Sequence, residues 1–445
     1  MTVYFEKKDV LKFIKNKNWK RVKEALVDWK VQDIAELIPE LKESQQLILF
    51  RTLQRNKSAA VFSYLEPENQ EKLLAAFTKQ ETKFILETLD SDDRTALFEE
   101  LPGTVTRQLF KLLKPDDLKE TKKLLGYPEE SVGRLITSEY VTIYQDMRVE
   151  EALDRIRRKG TDTEALDRVY VIDHDKKLLD SIRLRRIVIQ PKDKKIQDLM
   201  TYNTISLSAF DDQEKAVEVM KKYDALSIPV VDTQGVIIGV VTADDIIDVA
   251  EEEATEDIQK IGSVAPLKTS YRAASVFKLY QKRIIWLSLL VIVSLLSSGI
   301  IEYFEDVLST TIALAFFIPL LIDTGGNIGS QSATLMIRAI ATNDVKTQDW
   351  LKVFVKELLI GIIIGISLGV LASVIGFVRG GAVIGLVIGI TMILIVLIAN
   401  LLGAVFPFIL SKLKIDPAVA SAPLITTIMD ALGLIIYFTV AAIII

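Results

Sequence analysis

From Ile284 to Ile445 the chain is mostly Leu, Ile, Val, Ala and Gly, with few charges. No water-soluble domain hides so long an apolar run in one core. A bilayer does, provided that every backbone group finds its partner inside the protein. A crossing helix needs roughly 20 apolar residues, and five stretches qualify: about Ile284 to Tyr303, Thr311 to Ile340, Phe354 to Phe377, Ala382 to Leu410 and Val419 to Ile445. Lys260, Lys268, Arg272, Lys278, Lys282 and Arg283 precede the first. Arg338, Lys346, Lys352 and Lys356 flank the second connection, and Lys412 and Lys414 the fourth. Basic residues mark cytoplasmic loops, so the N-terminus is expected in the cytoplasm and the C-terminus outside. Spans three and four carry Gly361, Gly365, Gly369 and Gly381, Gly385, Gly389. Such spacing predicts close helix packing, within a chain or between chains.

Two acids stand deep in these spans, Asp323 and Asp430. An ionisable group at that depth is a functional hypothesis by default. Asp430 follows the start of span five by a distance of about 17 Å at 1.5 Å per residue, near the middle of a core about 30 Å thick. Thr426, Asp430 and Gly433 share one helical face, as do Gly326 and Ser330. Oxygen donors, glycine-exposed backbone and no sulfur or nitrogen ligand form an inventory for a hard cation. Mg²⁺ keeps several waters and uses one or two carboxylates. One acid per subunit, paired across a two-fold axis, suits such an ion. There is no cysteine, and His174 is the only histidine, set between Asp173 and Asp175 in an expected turn. That excludes disulfides, thiolate sites and a multi-histidine zinc centre. No phosphate loop is present to couple transport to ATP hydrolysis. Movement is therefore expected to run downhill, with the membrane potential supplying about 2.3 kcal/mol per charge per 100 mV.

The first part of the chain is charged and ordinary. Its N-terminus lacks a signal pattern, and with a net charge of −5 no nucleic-acid partner is expected. Up to about residue 130 the periodicity is helical. Leu65-Glu66-Pro67-Glu68, Leu89-Asp90-Ser91-Asp92 and Leu113-Lys114-Pro115-Asp116 recur every 24 residues, with Leu37-Ile38-Pro39-Glu40 as a looser copy. Stacked helix pairs in a small superhelix are expected. Residues 131–250 alternate strand and helix signals in two copies. Val171-Ile172-Asp173 answers Val230-Val231-Asp232, and the second copy runs on through Gly239 to Thr242-Ala243-Asp244-Asp245. This resembles a tandem pair of CBS domains. In that family Thr242 and Asp245 stand where a nucleotide ribose is touched. The first copy has Arg183-Leu184-Arg185-Arg186 there, whose arginines could face phosphates. A nucleotide-binding pair and a purely structural pair both stand as readings. Asp244, Asp245, Asp248, Glu251, Glu252, Glu253, Glu256 and Asp257 then crowd a connecting helix, expected over 244–275. Like charges on one helix repel, so this run is read as binding divalent ions.

Taken together, the order of helical N-domain, tandem CBS domain, acidic connecting helix and five-helix membrane domain over 284–445 resembles the MgtE magnesium transporters across the whole chain. Pro319-Leu320-Leu321-Ile322-Asp323-Thr324-Gly325-Gly326-Asn327-Ile328-Gly329-Ser330-Gln331 and Asp416-Pro417-Ala418 through Asp430 carry the resemblance. It implies a homodimeric, Mg²⁺-selective channel in a bacterial plasma membrane, closed by cytosolic Mg²⁺, and not an enzyme. It implies hydrated Mg²⁺ at Asp430, with Gly326, Thr426 and Gly433 beside it. Ser330 stands where some members have Asn. Regulatory Mg²⁺ is implied at Asp212, Glu214, Asp224, Asp245, Asp248, Glu256, Asp257 and Asp416, and at Asp92 and Asp93. ATP is implied as a regulator, with Arg183, Thr242 and Asp245 as its contacts. An ion-coupled divalent cation exchanger is the alternative.

Overall fold

The computed structural model describes residues 5–160, 163, 166–267, 271, 274–342 and 344–445. The chain divides into two compact units, residues 1–252 and 253–445. Its N-terminal region is all-α, followed by a pair of α+β modules and then by a helical, largely apolar region.

Ten short helices open the first unit: α1 (Lys7–Lys15), α2 (Trp19–Ala25), α3 (Val31–Leu37), α4 (Glu43–Thr52), α5 (Arg55–Ser63), α6 (Pro67–Ala76), α7 (Lys79–Thr88), α8 (Ser91–Glu100), α9 (Gly103–Leu109) and α10 (Pro115–Leu124). A new helix starts every 12 residues, so each pair repeats every 24. Proline suits the first helical position because its missing N–H has no partner there anyway, and it starts α6 and α10. Neighbours two apart touch: α2 with α4, α3 with α5, α4 with α6, α5 with α7 and α8 with α10. The stacked reading is therefore right, but its fourth copy is out of phase. Leu37-Ile38-Pro39-Glu40 closes α3 in a tight turn. The true copy begins at Leu41, buried like Leu65, Leu89 and Leu113.

Each of the two following modules has a three-stranded sheet. The first holds β1 (Thr142–Tyr144), β2 (Arg168–Ile172) and β3 (Leu178–Arg183); the second holds β4 (Leu207–Ser208), β5 (Ser227–Val231) and β6 (Ile237–Thr242). In both, the outer pair is parallel, the inner hairpin antiparallel, and one irregularity falls at the same place. Arg168 pairs with Arg183 as Ser227 pairs with Thr242. The register thus makes Arg183 and Arg186 the counterparts of Thr242 and Asp245. Helices α11 (Val149–Lys159), α12 (Leu184–Val188) and α13 (Gln213–Tyr223) cover the sheets. His174 lies in its turn, stacked on Tyr144 at 5.5 Å.

Next comes α14 (Ala243–Ile261), shorter than the 244–275 span expected. The αL residue Ser263, with φ 57°, stops it. Lys268 and Arg272 lie outside the described residues. The apolar region holds α15 (Val276–Tyr303), α16 (Glu305–Thr310), α17 (Ile318–Ala341), α18 (Trp350–Lys412) and α19 (Ala422–Ile444). Four of these are long and apolar enough to cross a membrane. Spans three and four are two helices that follow one another without a loop, numbered together as α18, and the chain reverses between them at Gly381. Its φ of 82° and ψ of −175° are open to glycine and strained for other residues. A Cβ at Gly376 would lie 2.9 Å from the Gly385 Cα, one at Gly369 2.5 Å from Ile393, and one at Gly361 3.1 Å from Leu397. These contacts pair residues symmetrically about Gly381, so the two arms run antiparallel. The glycine seams serve packing within one chain. Between the arms and α17 and α19 sits a core of Ile388, Met392, Ile395, Val396, Met429 and Tyr437.

Candidate functional site

Helices α17 and α19 lie side by side in antiparallel register. Ser330 Oγ donates to the Ala422 carbonyl at 3.2 Å and lies 3.3 Å from Thr426 Oγ1. One turn away, Gly326 abuts Thr426: a Cβ there would lie 2.8 Å from Thr426 Cγ2. Further along, a Cβ at Gly433 would lie 2.8 Å from Ile322 Cδ1. This register sets Asp323 level with Asp430. Asp323, Gly326, Ser330, Thr426, Asp430 and Gly433 are thereby brought together. Because α19 starts at Ala422 rather than Val419, Asp430 lies about 12 Å along it at 1.5 Å per residue.

The face of α17 that looks away from α18 is polar. Asp323, Asn327, Gln331 and Thr334 are exposed along it, while Leu321, Gly325, Ile328 and Ser332 on the other side are buried. Hydrocarbon cannot satisfy such a face; protein or water must. The buried side is held tightly. A Cβ at Gly403 would come 2.2 Å from the Gly329 carbonyl, and Ser332 Oγ donates to the Asn400 carbonyl at 2.9 Å. Glu357 is a third acid in these helices, missed by the sequence reading because it falls close to the charged start of its span. Its carboxylate accepts from the buried Asn400 Nδ2 at 2.8 Å.

The expected regulatory acids do not form one cluster. Within the first unit, Asp92 and Asp93 in the first turn of α8 meet Asp245 and Asp244 of α14, with Asp90 beside them. Burial raises the Asp92 carboxyl above the usual range. Burial and the neighbouring Asp92 and Asp90 push Asp93 up to about 7. Asp90 was not among the expected ligands, and Asp244 was expected only as part of the acidic run of α14; their closeness to Asp92 and Asp93 depends on helix packing that the sequence does not display. Asp212 caps the start of α13, accepting from the Glu214 N–H at 2.9 Å, and Asp224 ends that helix in the αL region. Asp212 and Glu214 therefore sit a helix length from Asp224. Asp248 is exposed on α14. Within the second unit, Glu256 and Asp257 of α14 face Asp416, and Lys260 bonds both Glu256 and Asp416. Among the described residues, no group of three or more Asp, Glu or His is placed to hold a metal ion.

The expected nucleotide contacts are also divided. A cavity of about 570 Å³ lies between the two β-modules, lined by Arg168, Arg183, Arg185 and Arg186 with Asn203 and Tyr223. Four guanidinium groups in one cavity suit a polyphosphate. The chain at Thr201–Thr204 that walls it is fastened by Asp180, which accepts from the N–H groups of Thr201 and Tyr202 and from Thr204 Oγ1. Thr242 and Asp245 do not line this cavity. Thr242 Oγ1 donates to Asp245 at 2.8 Å, and Asp245 faces Asp92 instead.

Residues 318–440 match the family MgtE, described as a divalent cation transporter; residues 29–130 match the MgtE intracellular N domain, and 132–190 and 196–252 match the CBS domain. The magnesium transporter MgtE of Thermus thermophilus is 37% identical over 424 residues, 94% of each chain. That of Bacillus subtilis is 34% identical over 429 residues, 94% of this chain and 95% of its own. Among solved structures, the cytosolic domain of the Mg²⁺ channel MgtE in complex with ATP superposes with a TM-score of 0.52 at 30% identity, over 54% of this chain and 98% of that one.

Proposed function

Because the chain belongs to the MgtE family of divalent cation transporters, a family of transporters and not of enzymes, we propose that it is a homodimeric, Mg²⁺-selective channel closed by cytosolic Mg²⁺. One observation carries the reading: Asp323 and Asp430 stand level on facing helices, beside a polar strip that lipid cannot cover. A two-fold axis along that strip doubles the carboxylates into a ring, a device of cation channels. Mg²⁺ passes there with much of its water, held by carboxylates and by Thr426 and Ser330 hydroxyls. The membrane potential contributes about 4.6 kcal/mol per 100 mV to the entry of a doubly charged ion.

The domains follow the sequence: an N-domain to residue 130, a CBS pair over 131–250, a connecting plug formed by α14, and five crossings over 284–445, with the N-terminus cytoplasmic and the C-terminus outside. At low Mg²⁺ the acids of α8, α13 and α14 repel and the passage opens. At high Mg²⁺ ions bridge Asp92, Asp93 and Asp245 with Asp90 and Asp244, and the plug closes. A ligand shifts such a balance only by its differential affinity for the two states. The arginine-lined cavity takes ATP, the ligand of the related cytosolic domain.

Asp430→Ala tests the core of this. In liposomes loaded with a Mg²⁺ indicator it should abolish uptake while the protein still elutes as a dimer. Uptake at the rate of the unaltered chain would remove Asp430 from the path. A reversal potential that follows sodium or proton gradients would instead favour the exchanger.

A further inference from the structure

Lys260 sits where the sequence reading expected a metal. Its Nζ lies 2.6 Å from Asp416 Oδ2 and also bonds Glu256, one helical turn back. An ammonium has three donors and no acceptor, so it can serve both carboxylates at once. Around this contact the end of α14 is seated, not merely adjacent. Ile261 packs with Ile337, Leu410, Ala418 and Ala420. Ser263 and Ser421, both buried, share a hydrogen bond of 2.6 Å. Asp416 uses its other oxygen to accept from the Ala418 N–H at 2.8 Å, which fixes the link between α18 and α19. That link leads directly into α19, which carries Thr426 and Asp430.

We propose that Lys260 is a tethered cation that docks the end of α14 on the Asp416–Ser421 link, doing for Glu256 and Asp416 what a divalent ion would otherwise do. The proposal rests on the reading of α14 as a plug. It removes this contact from the Mg²⁺ sensors: closure then has a part that needs no Mg²⁺, and the Mg²⁺ response arises at the other acids. With Lys260 neutralised, Glu256, Asp257 and Asp416 are left facing one another with Arg338 as the remaining cation acting on Asp257. Docking should then require Mg²⁺.

The chain has no cysteine, so Ser263→Cys with Ser421→Cys reports docking without background. In the full-length protein in liposomes, this pair should form a disulfide readily in EDTA. Adding Lys260→Met should slow it by about tenfold or more, tenfold being the lower end of the equilibrium worth of one hydrogen bond to a charged group. Excess Mg²⁺ should restore the rate, and Lys260→Arg should keep it in EDTA. An unchanged rate with Lys260→Met, an equal slowing with Lys260→Arg, or no recovery in Mg²⁺ would each overturn the proposal. Ion flux through the same liposomes tests the channel reading separately, because cross-linking reads docking whether or not the protein conducts.

Discussion

Gly326→Ala probes one of the tight points between the two helices that carry the acids. The new Cβ would lie 2.8 Å from Thr426 Cγ2, 3.2 Å from Thr426 Oγ1 and 3.3 Å from Thr426 Cβ. Thr426 cannot simply turn aside, because its hydroxyl is within 3.3 Å of Ser330 Oγ. Helices α17 and α19 must therefore part by a few tenths of an ångström, and overpacking of this kind costs about 1–3 kcal/mol. As an equilibrium that is about 5- to 150-fold against the close-packed pair, at 1.4 kcal/mol per factor of ten. Thr426→Ser removes the methyl of the worst contact and keeps the hydroxyl. The double variant should recover much of the loss in Mg²⁺ uptake and in melting temperature, with a coupling of about 1–2 kcal/mol, within the range found for residues in contact. Strictly additive effects of the two changes would refute the packing argument.

Three further outcomes follow from the cytosolic unit and the seam beside the site. Asp93 keeps its proton up to about pH 7 in the folded protein, whereas a free aspartate loses it near pH 4. Between those values the folded state binds the extra proton, so the α8–α14 packing weakens as pH rises and levels off above neutrality. Hydrogen exchange of α8 in EDTA, corrected for intrinsic rates, should show protection falling over that window; protection that rises would contradict it. Arg186→Ala should weaken ATP binding about 10- to 150-fold, the loss of one hydrogen bond to a charged group, while Thr242→Ala leaves it unchanged in calorimetry. Gly403→Ala drives a Cβ towards the Gly329 carbonyl; backbone cannot yield as a side chain can, so the melting temperature should fall by more than with Gly326→Ala.

Particular residues show where reading the sequence stops. The 24-residue beat of Leu65, Leu89 and Leu113 was visible because each helix pair buries the same positions against its neighbour. Its phase at Leu41 was not, because Pro39 imitates a helix start where a tight turn ends one. Asp323 and Asp430 stood out because a charge in an apolar span is costly wherever its neighbours lie. Glu357 escaped, since at the edge of a span a charge looks like a loop residue. Thr242 and Asp245 read as nucleotide contacts by their motif, yet the arginine cavity forms on the first copy's side and Asp245 turns to Asp92.

The sequence by itself determined the helical beat, the two-copy sheet pattern, the apolar spans and the two acids inside them. These are properties of single segments, set by periodicity and by transfer from water, and they add along the chain. Only the tertiary structure decided that α18 folds back at Gly381, that Asp323 faces Asp430, and that Lys260 stands between Glu256 and Asp416. Those are matters of register and rotation between segments, and a shift of one residue, about 100° on a helix, exchanges one partner for another.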